Sequence, residues 1–485
     1  GYYMSRFIEE HDRQQTRLFP ERLDEYIGED KPVRVIDAFV DGLDLNQLTF
    51  ELALPKATGR PGYKTGTLLK LYIYGYMNRI QSSRRLEKES QRNVELMWLL
   101  GRLRPDFKTI ADFRKDNGKA IQRVCREFVD ICRQLDLFEK SLIAIDGSKF
   151  KAVNSKQKND TQASMKRRIA RVEKHIEDYL KALADKDDDD DGVDERTVPQ
   201  LSEKLAALQA HLEALKQREI EVKAHPDKQL SETDPDARLM KQSTVGSLVG
   251  YNVQTAVDTE NKLIVAHQVT NSPVDRGQLL PMARLARQVL DREALMVIAD
   301  RGYYKGTDIK SCVDEGMLTL VPKALTSPNE ANGLFARSAF RYDAKTNEYR
   351  CPANQVLTYR HSSVEKGRLI HTYYVSTPVC RACELKSRCT TGINRRMRRW
   401  EHEDVLDTMQ ERLQQMPDAM TVRARTVEHP FGTIKLWTGS RQLLTKQLKN
   451  VRTEMSLNVL AYNLRRMITI LGVPELMKMI RAVAT

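Results

Sequence analysis

The sequence lacks any long apolar run, which limits where the chain can lie. None of its 485 residues falls in a stretch of about 18 apolar residues, the length that a bilayer-spanning helix needs. No apolar segment near its start predicts a secretory signal. Cysteine is scarce too: seven residues, an odd number spread unevenly, favour a reducing compartment over a disulfide framework. We therefore expect a cytoplasmic protein with no membrane-spanning segment.

Acidic residues are fewer than basic ones. There are 66 Asp and Glu against 79 Lys and Arg, a formal net charge of +13, even though the chain contains an acidic run at residues 187–191. A basic balance of this size indicates nucleic acid as the first partner to consider and acidic membranes as the second. A chain of this length has room for about two to four domains, each with its own core.

Two short apolar runs end in an aspartate that a glycine follows within two positions. Residues 142–145 lead into Asp146, and residues 295–299 lead into Asp300. Such runs predict buried strands, and sites in open α/β sheets form beyond the carboxyl ends of strands. Two carboxylates that face one position supply the oxygen ligands that Mg²⁺ requires. The alternative is that each aspartate only forms a turn or caps the next helix.

Further strands and helices follow these runs. The patterns predict strands at residues 248–257, 263–269 and 318–322, and helices at 277–290 and 308–314. The order of strand, insertion, strand, strand, helix, strand, helix, strand predicts an α/β fold with a mixed sheet of ribonuclease-H-like order. Rival carboxylates are Asp258, Asp275 and Asp308. We rank them lower because none ends a buried apolar strand, although Asp275 can support the residues that bind the metal directly.

Two other regions have helical periodicity. Residues 32–138 predict an all-helical domain with basic faces, in which Thr109 caps a helix. Its role is DNA binding through a helix-turn-helix-like pair, or alternatively that of a helical cap exposed to solvent. Apolar residues recur every three or four positions in 165–183 and 201–215, on either side of the acidic segment 185–195. They predict an antiparallel helical hairpin, which either self-associates or packs on itself.

Four of the seven cysteines gather late in the chain. Cys351 is followed by Cys380, Cys383 and Cys389, among short aromatic-rich strands. The two-residue spacing between Cys380 and Cys383 lets both thiolates reach one metal, so the set predicts a structural zinc site with four Cys ligands in a small β insertion. The alternative is four reduced cysteines in a loop-rich region. No strand-turn-helix redox context surrounds them, so a catalytic role is not expected.

A carboxylate flanked by cations lies in the basic C-terminal part. Arg423 and Arg425 precede Glu428, and Lys435 follows it by seven positions, which is two helical turns and therefore the same helix face. Pro430 predicts that Glu428 lies at a helix start or a kink. Such a group is either a surface salt-bridge cluster or a site that binds metal with the carboxylate and DNA phosphate with its neighbours.

These motifs together resemble those of bacterial insertion-sequence transposases of the DDE type. Residues 145–147, 298–303 and 427–435 are similar to the three acidic motifs, in the family's order, and 250–254 (Gly-Tyr-Asn-Val-Gln) is similar to the same group. The resemblance covers nearly the whole chain. It departs at Thr421, because relatives often carry Tyr and Arg at fixed places ahead of the Glu, and here two arginines stand at slightly different spacing.

The resemblance implies a site and an activity. Asp146, Asp300 and Glu428 would be the catalytic residues and would hold two Mg²⁺ (or Mn²⁺) ions for phosphoryl transfer. The implied DNA-binding residues are Arg423, Arg425, Lys435, Arg301 and Lys149. The implied enzyme is a nucleoid-associated homodimer that binds double-stranded DNA at terminal inverted repeats, cleaves there, and joins the 3′ ends to target DNA. The alternatives are a metal-dependent nuclease without strand joining and a non-catalytic DNA-binding protein.

The predicted organisation follows from these segments. It comprises a flexible arm (1–31), a helical DNA-binding or dimerisation domain (32–138), a ribonuclease-H-like catalytic core (139–150, 245–324 and 403–445), the helical hairpin insertion (151–244), the cysteine-bearing insertion (325–402) and a helical tail (446–485).

Overall fold

The computed structural model describes residues 22–50, 62–138, 142–154, 158–187, 197–242, 246–323, 329–437 and 439–483. The predicted arm therefore lies mostly outside the described residues, as does most of the acidic tip of the predicted helical hairpin. The chain divides into two compact units, one formed by Gly1–Cys125 with Leu460–Thr485 and the other by Arg126–Val459.

Helices form the larger share of the regular structure. In chain order they are α1 (Pro32–Asp41), α2 (Thr65–Met77), α3 (Ser83–Ser90), α4 (Val94–Leu99), α5 (Phe107–Asp116), α6 (Gly118–Gln134), α7 (Gln162–Asp187), α8 (Thr197–Ala224), α9 (Leu279–Leu290), α10 (Gly306–Asp314), α11 (Thr377–Arg381), α12 (Lys386–Cys389), α13 (Glu403–Gln415), α14 (Ala419–Gly432), α15 (Leu448–Leu471) and α16 (Val473–Val483). A π-helical segment, Thr433–Trp437, follows α14 directly.

The strands are shorter and lie mainly in two sheets. They are β1 (Leu142–Lys151), β2 (Asn159–Thr161), β3 (Gln229–Ser231), β4 (Arg238–Gln242), β5 (Gly246–Asp258), β6 (Ile264–Thr270), β7 (Leu295–Ala299), β8 (Met317–Leu320), β9 (Arg341–Asp343), β10 (Glu348–Arg350), β11 (Val356–Glu365), β12 (Arg368–Tyr374) and β13 (Met397–Trp400). Helices and strands together confirm the predicted mixed α/β class.

The first unit is helical and packs around α2. Tyr72 and Tyr76 of that helix are fully buried, and the Tyr72 hydroxyl donates to the Ile110 carbonyl oxygen over 2.7 Å. The prediction that Thr109 caps a helix is wrong by one turn. Asp106 is the cap, because its Oδ1 accepts the Thr109 backbone N–H over 2.9 Å, so α5 begins at Phe107.

The larger sheet belongs to the second unit and is centred on β1. Its strand order is β4–β5–β1–β7–β8, with β6 beside β5 as well. Strand β5 pairs antiparallel with β1, β4 and β6, whereas β7 runs parallel to β1 and β8 runs parallel to β7. Because β1 and β7 are parallel neighbours whose last pair is Ile145 with Ala299, the residues that follow this pair, Asp146 and Asp300, come to the same edge.

Two predictions about strand ends are wrong. Strand β1 does not end at Asp146; it continues to Lys151 because its antiparallel pairing with β5 extends that far, while its pairing with β7 stops at Ile145 opposite Ala299. Asp258, ranked low because it ends no buried strand, is the last residue of β5 and is fully buried. It closes a turn, since its Oδ2 accepts the Asn261 backbone N–H over 2.6 Å.

Helices α7 and α8 pack along one another through an apolar seam. Met165, Val172, Leu215 and Val222 are its buried members. Near its base, Asp160 is 2% exposed and forms ion pairs with two arginines of these helices, at 2.7 and 3.2 Å. Two arginines offset the cost of burying that carboxylate.

The smaller sheet has the strand order β13–β12–β11–β10–β9. Its core consists of five buried side chains: Phe340, Tyr349, Leu357, Tyr373 and Met397. Cys351 and Cys389 pack against this core. None of the described helices has the length and apolar character needed to cross a membrane.

Candidate active site

Two carboxylates and one guanidinium meet at the edge where β1 and β7 separate. Asp146 lies in β1, one residue past its last pairing with β7, and Asp300 directly follows β7. Arg423 of α14 contacts both. Its Nη2 lies 2.5 Å from Asp146 Oδ1 and 3.6 Å from Asp300 Oδ2. The other oxygen of Asp300 accepts the Gly302 backbone N–H over 2.7 Å, which fixes the start of the following turn.

The position of Arg423 follows from the packing of α14 on the sheet. Ala419 and Val427 lie four residues before and after Arg423, so the three side chains share one helix face. Both apolar residues are buried in a cluster with Ala144 of β1 and side chains of β7 and β8. Apolar burial on either side therefore aims the guanidinium at the two aspartates.

The pKa of Asp146 is raised to about 6, chiefly because burial disfavours the charged carboxylate. Arg423 opposes this shift, and the negative charges of Asp300 and Asp275 add to it. Arg423 Nε is itself buried and has no hydrogen-bond partner among the described residues. The site therefore holds two carboxylates that repel each other and one guanidinium whose Nε lacks a hydrogen-bond partner.

Glu428 is not brought to these aspartates. It is exposed on α14, as is Arg425, and five helical residues set it roughly 140° around the axis from Arg423. Of the two positions that Pro430 predicted for Glu428, a helix start or a kink, the helix start is wrong. Pro430 lies inside α14, two residues before its end, where it cannot donate the backbone hydrogen bond to the carbonyl oxygen of Thr426.

Lys435 lies against β1 rather than beside Glu428. Its Nζ donates to Ser148 Oγ over 2.5 Å and to the Lys149 carbonyl oxygen over 3.0 Å, and it lies 4.7 Å from the centre of the Phe150 ring. The two-turn spacing predicted one face for Glu428 and Lys435, but the chain passes from α-helix to π-helix between them, which changes the rotation per residue. Burial lowers the pKa of Lys435, and Asp146 opposes that effect.

Asp275 is a third carboxylate near the site. Its Oδ1 accepts from Asn252 Nδ2 and Gln254 Nε2, each over 2.8 Å, and Lys149 Nζ forms an ion pair with it at 3.2 Å. These groups crowd Gly147, since a Cβ there would lie 2.3 Å from Gln254 Nε2 and 2.5 Å from Asp275 Oδ1. The predicted DNA-binding residue Lys149 is thus committed to an internal ion pair.

The prediction of site residues missed the amides that hold Asp275. Asn252 and Gln254 are both fully buried in β5, and the Tyr303 hydroxyl donates to Gln254 Oε1. A signal was available. Two amides two positions apart in a mostly apolar strand face the same side and must find partners when buried. Arg301, the remaining predicted DNA-binding residue, is exposed.

The four clustered cysteines line one cavity of about 30 Å³. All four are free thiols and partly buried. Burial raises the pKa of the Cys389 thiol, Arg395 opposes that rise, and the other three cysteines add to it. Within the described ranges, however, no three His, Cys, Asp or Glu side chains form a group that could hold a metal ion as they stand.

The second unit thus presents a carboxylate site where two neighbouring parallel strands separate. Two family models match the chain: Transposase domain (DUF772) over residues 21–116, and Transposase DDE domain over residues 350–468. These matches confirm that the chain resembles transposases of the DDE type. The second match includes α14 with Glu428 and the four cysteines, whereas Asp146 and Asp300 lie outside both.

A solved structure is also similar to the chain. It is the cryo-EM structure of a piggyBac transposase synaptic complex with hairpin DNA, with a TM-score of 0.33 and 7% sequence identity over 96% of this chain and 81% of that chain. No curated protein matches the chain.

Proposed function

We propose that this chain is the transposase of a bacterial insertion sequence. It binds the terminal inverted repeats of its element, cleaves the DNA there and joins the 3′ ends to target DNA. The observation that carries the proposal is the meeting of Asp146 and Asp300 around Arg423, together with the match of the C-terminal part to a transposase DDE domain. A homodimer that holds two DNA ends at once suits this reaction.

The proposal includes a ribonuclease-H-like core. Its support is the order of the larger sheet, in which β1, β5 and β6 are antiparallel and are followed in the chain by β7 and β8, both parallel to β1. The stretch between β1 and β5, which contains α7 and α8, would be an insertion into that core.

The donor chemistry at the sheet edge fits a hard divalent cation. Carboxylate oxygens are the ligands that Mg²⁺ and Mn²⁺ prefer, and a cationic group already lies between the two carboxylates. Asp146 and Asp300 would hold two such ions with Glu428 as the third carboxylate. When bound, such ions lower the pKa of the attacking water or 3′-hydroxyl and stabilise the leaving oxygen. Glu428 enters on the family resemblance alone, and its exposed position requires a shift of α14.

The chain's own cations have separate tasks in this proposal. Arg425 and Arg301 are exposed and would contact DNA phosphates. Lys149, through its ion pair with Asp275, would hold β1 in place. Arg423 would neutralise the two aspartates until the cations bind and then turn to phosphate.

The test is an assay of purified protein on labelled DNA that carries the element's ends, with Mg²⁺ or Mn²⁺. We expect metal-dependent nicking at the ends followed by strand joining. Asp300→Asn should abolish both activities. Asp314→Asn, the same change at an exposed carboxylate of α10 that pairs with Lys310, should leave both intact. End binding without cleavage under either metal would overturn the proposal in favour of a non-catalytic DNA-binding protein. Nicking without joining would favour a nuclease.

A structural zinc ion is a further part of the proposal. Cys351, Cys380, Cys383 and Cys389 surround one cavity, and four thiolates are a donor set that suits Zn²⁺. The ion would link α11 and α12 to the small sheet, because Cys380 and Cys389 lie on these helices and Cys351 directly follows β10. The sulfurs have to draw closer than they lie in the structure to form such a site.

Metal analysis of protein purified under reducing conditions tests this part. We expect one zinc per chain, lost in Cys383→Ser together with thermal stability. Cys312→Ser is the matched control, because Cys312 is buried in α10, away from the cluster, and its loss should leave the zinc content unchanged. Wild-type protein that contains no zinc and gains no stability from added Zn²⁺ would refute the zinc site.

A further inference from the structure

One face of the small sheet carries a concentration of arginines. Residues 350–400 contain eleven Lys and Arg against two Asp and Glu, a net charge of +9 out of +13 for the whole chain. Four of these arginines lie together on β11, β12 and the segment that enters and forms β13. They are Arg360, Arg368, Arg396 and Arg398, and with Tyr374 they are here called the arginine face.

Strand register places three of these side chains on the same side of the sheet. Arg368 and Tyr374 are six residues apart on β12, and Thr372 between them lies opposite Arg398 of β13. Because side chains alternate along a strand and directly paired residues share a face, Arg368, Tyr374 and Arg398 point the same way. Arg360 and Arg396 lie outside this regular pairing and join the face through their contacts with the Tyr374 ring. Six residues of strand span about 20 Å, so the arginine face is long enough to follow several phosphates of a nucleic acid.

Tyr374 lies at one end of this face between two guanidiniums. The guanidinium carbon of Arg360 is 5.2 Å from the centre of the ring, and that of Arg396 is 5.4 Å. Arg360 Nε also donates to the Tyr374 carbonyl oxygen over 3.0 Å. The aromatic ring therefore preorganises two exposed cations, which reduces the side-chain entropy that binding would cost.

Little negative charge opposes the arginine face. Glu365 pairs with Arg398 across the sheet. Among the described residues, Arg360, Arg368 and Arg396 form no ion pair with a carboxylate. Unpaired arginines with several N–H donors suit phosphate oxygens, and their guanidiniums carry charge at any physiological pH.

We propose that the arginine face is a docking surface for the phosphate backbone of double-stranded DNA. The charge complementarity of four arginines with a phosphodiester chain carries this assignment, and the fixed pair around Tyr374 would bind adjacent phosphates. The surface is separate from Asp146 and Asp300, which belong to the larger sheet. The inference rests on the proposed function only in its choice of DNA as partner.

The salt dependence of DNA binding tests the proposal. Fluorescence anisotropy of a labelled duplex with the full chain, in EDTA so that cleavage cannot interfere, gives the slope of log affinity against log salt between about 50 and 200 mM. The double variant Arg360→Gln with Arg396→Gln should weaken binding and lower that slope by about 1.8, since each lost phosphate contact removes about 0.9. The Lys variants at both positions should retain the slope.

The matched control removes two exposed cations elsewhere. Arg171→Gln with Lys174→Gln, on α7, makes the same change in charge and should leave the slope as in wild type. A wild-type slope in the arginine-face variant, or an equal fall in the control, would overturn the proposal. Cleavage of element ends by the wild type would still support the proposed transposase function in that case. A change of slope with RNA alone would overturn the assignment to DNA.

Discussion

Burial raises the pKa of Asp146 and Arg423 opposes that rise, so the removal of Arg423 should be visible in the titration of Asp146. The distance from Arg423 Nη2 to Asp146 Oδ1 is 2.5 Å, and the side chains of Arg423 and Asp146 are only 15% and 22% exposed. With both groups mostly buried, water screens the pair less than at the surface. The Arg423→Ala variant leaves Asp146 in the same apolar setting, still repelled by Asp300, without its main stabilising cation.

The size of the effect follows from the charge separation. Two unit charges about 4 Å apart attract by about 4 kcal/mol at an effective dielectric constant of about 20, which corresponds to a pKa change of about three at most. The remaining exposure reduces this value. We therefore expect the pKa of Asp146 to rise from about 6 in the metal-free wild type to between about 7 and 8 in Arg423→Ala.

Carbon-detected NMR of the Asp carboxyl carbons, with the Asp146 signal assigned by its loss in Asp146→Asn, measures this pKa. Arg425→Ala is the matched control, because Arg425 is exposed two residues along the same helix and should leave the titration unchanged. Arg423→Lys keeps a charge but not the planar fork, and should give an intermediate pKa. An Asp146 that titrates near its ordinary value in wild type, or that does not respond to Arg423→Ala, would refute the reasoning.

Three further outcomes are expected. In thermal unfolding without metal, Asp146→Asn should be more stable than wild type at about pH 8, by up to about 3 kcal/mol. The difference should vanish at about pH 4, because a carboxyl with a raised pKa costs the folded state free energy only where it is ionised. A difference that does not change with pH would contradict this expectation. Gly250→Ala should cost at least about 3 kcal/mol in denaturant unfolding, because its Cβ would lie 1.9 Å from the Phe150 carbonyl oxygen, whereas Gly432→Ala meets nothing within 4 Å and should cost far less. Burial lowers the pKa of His267 to about 4. The free energy of unfolding should therefore fall by up to about 3 kcal/mol as pH falls from about 6.5 to 4, where the buried imidazole has to take up a proton. In denaturant unfolding, His267→Gln should show a smaller fall over the same pH range.

The larger sheet could be predicted because its strands are apolar in sequence and are bounded by turn residues. Apolar runs bounded by turn residues predicted five strands of the larger sheet in order, and the parallel pairing of β1 with β7 then brings Asp146 and Asp300 to one edge. What the local pattern could not give was where β1 ends. That depends on how far β5 continues beside it, and Asp146 therefore lies within the strand.

Partners from distant parts of the chain were harder to predict. Arg423 was expected to bind DNA, because a cation near a carboxylate in the sequence gives no sign of which face of its helix is buried. Its contacts with Asp146 and Asp300 depend on Ala419 and Val427 packing into the sheet, a tertiary effect. Four of the seven cysteines could be grouped from spacing alone, but not the distance between their sulfurs.

The end of α14 shows most clearly what the sequence could not predict, because one change in helix type separates the two motif residues Glu428 and Lys435. A count at 3.6 residues per turn places Glu428 and Lys435 on one face. After Gly432 the chain continues as a π-helix, whose hydrogen bonds span one more residue, so each later side chain is turned away from its α-helical position. Lys435 then reaches Ser148 while Glu428 remains exposed. Such segments are frequent at functional sites, and this one directly follows the helix that carries Arg423 and Glu428.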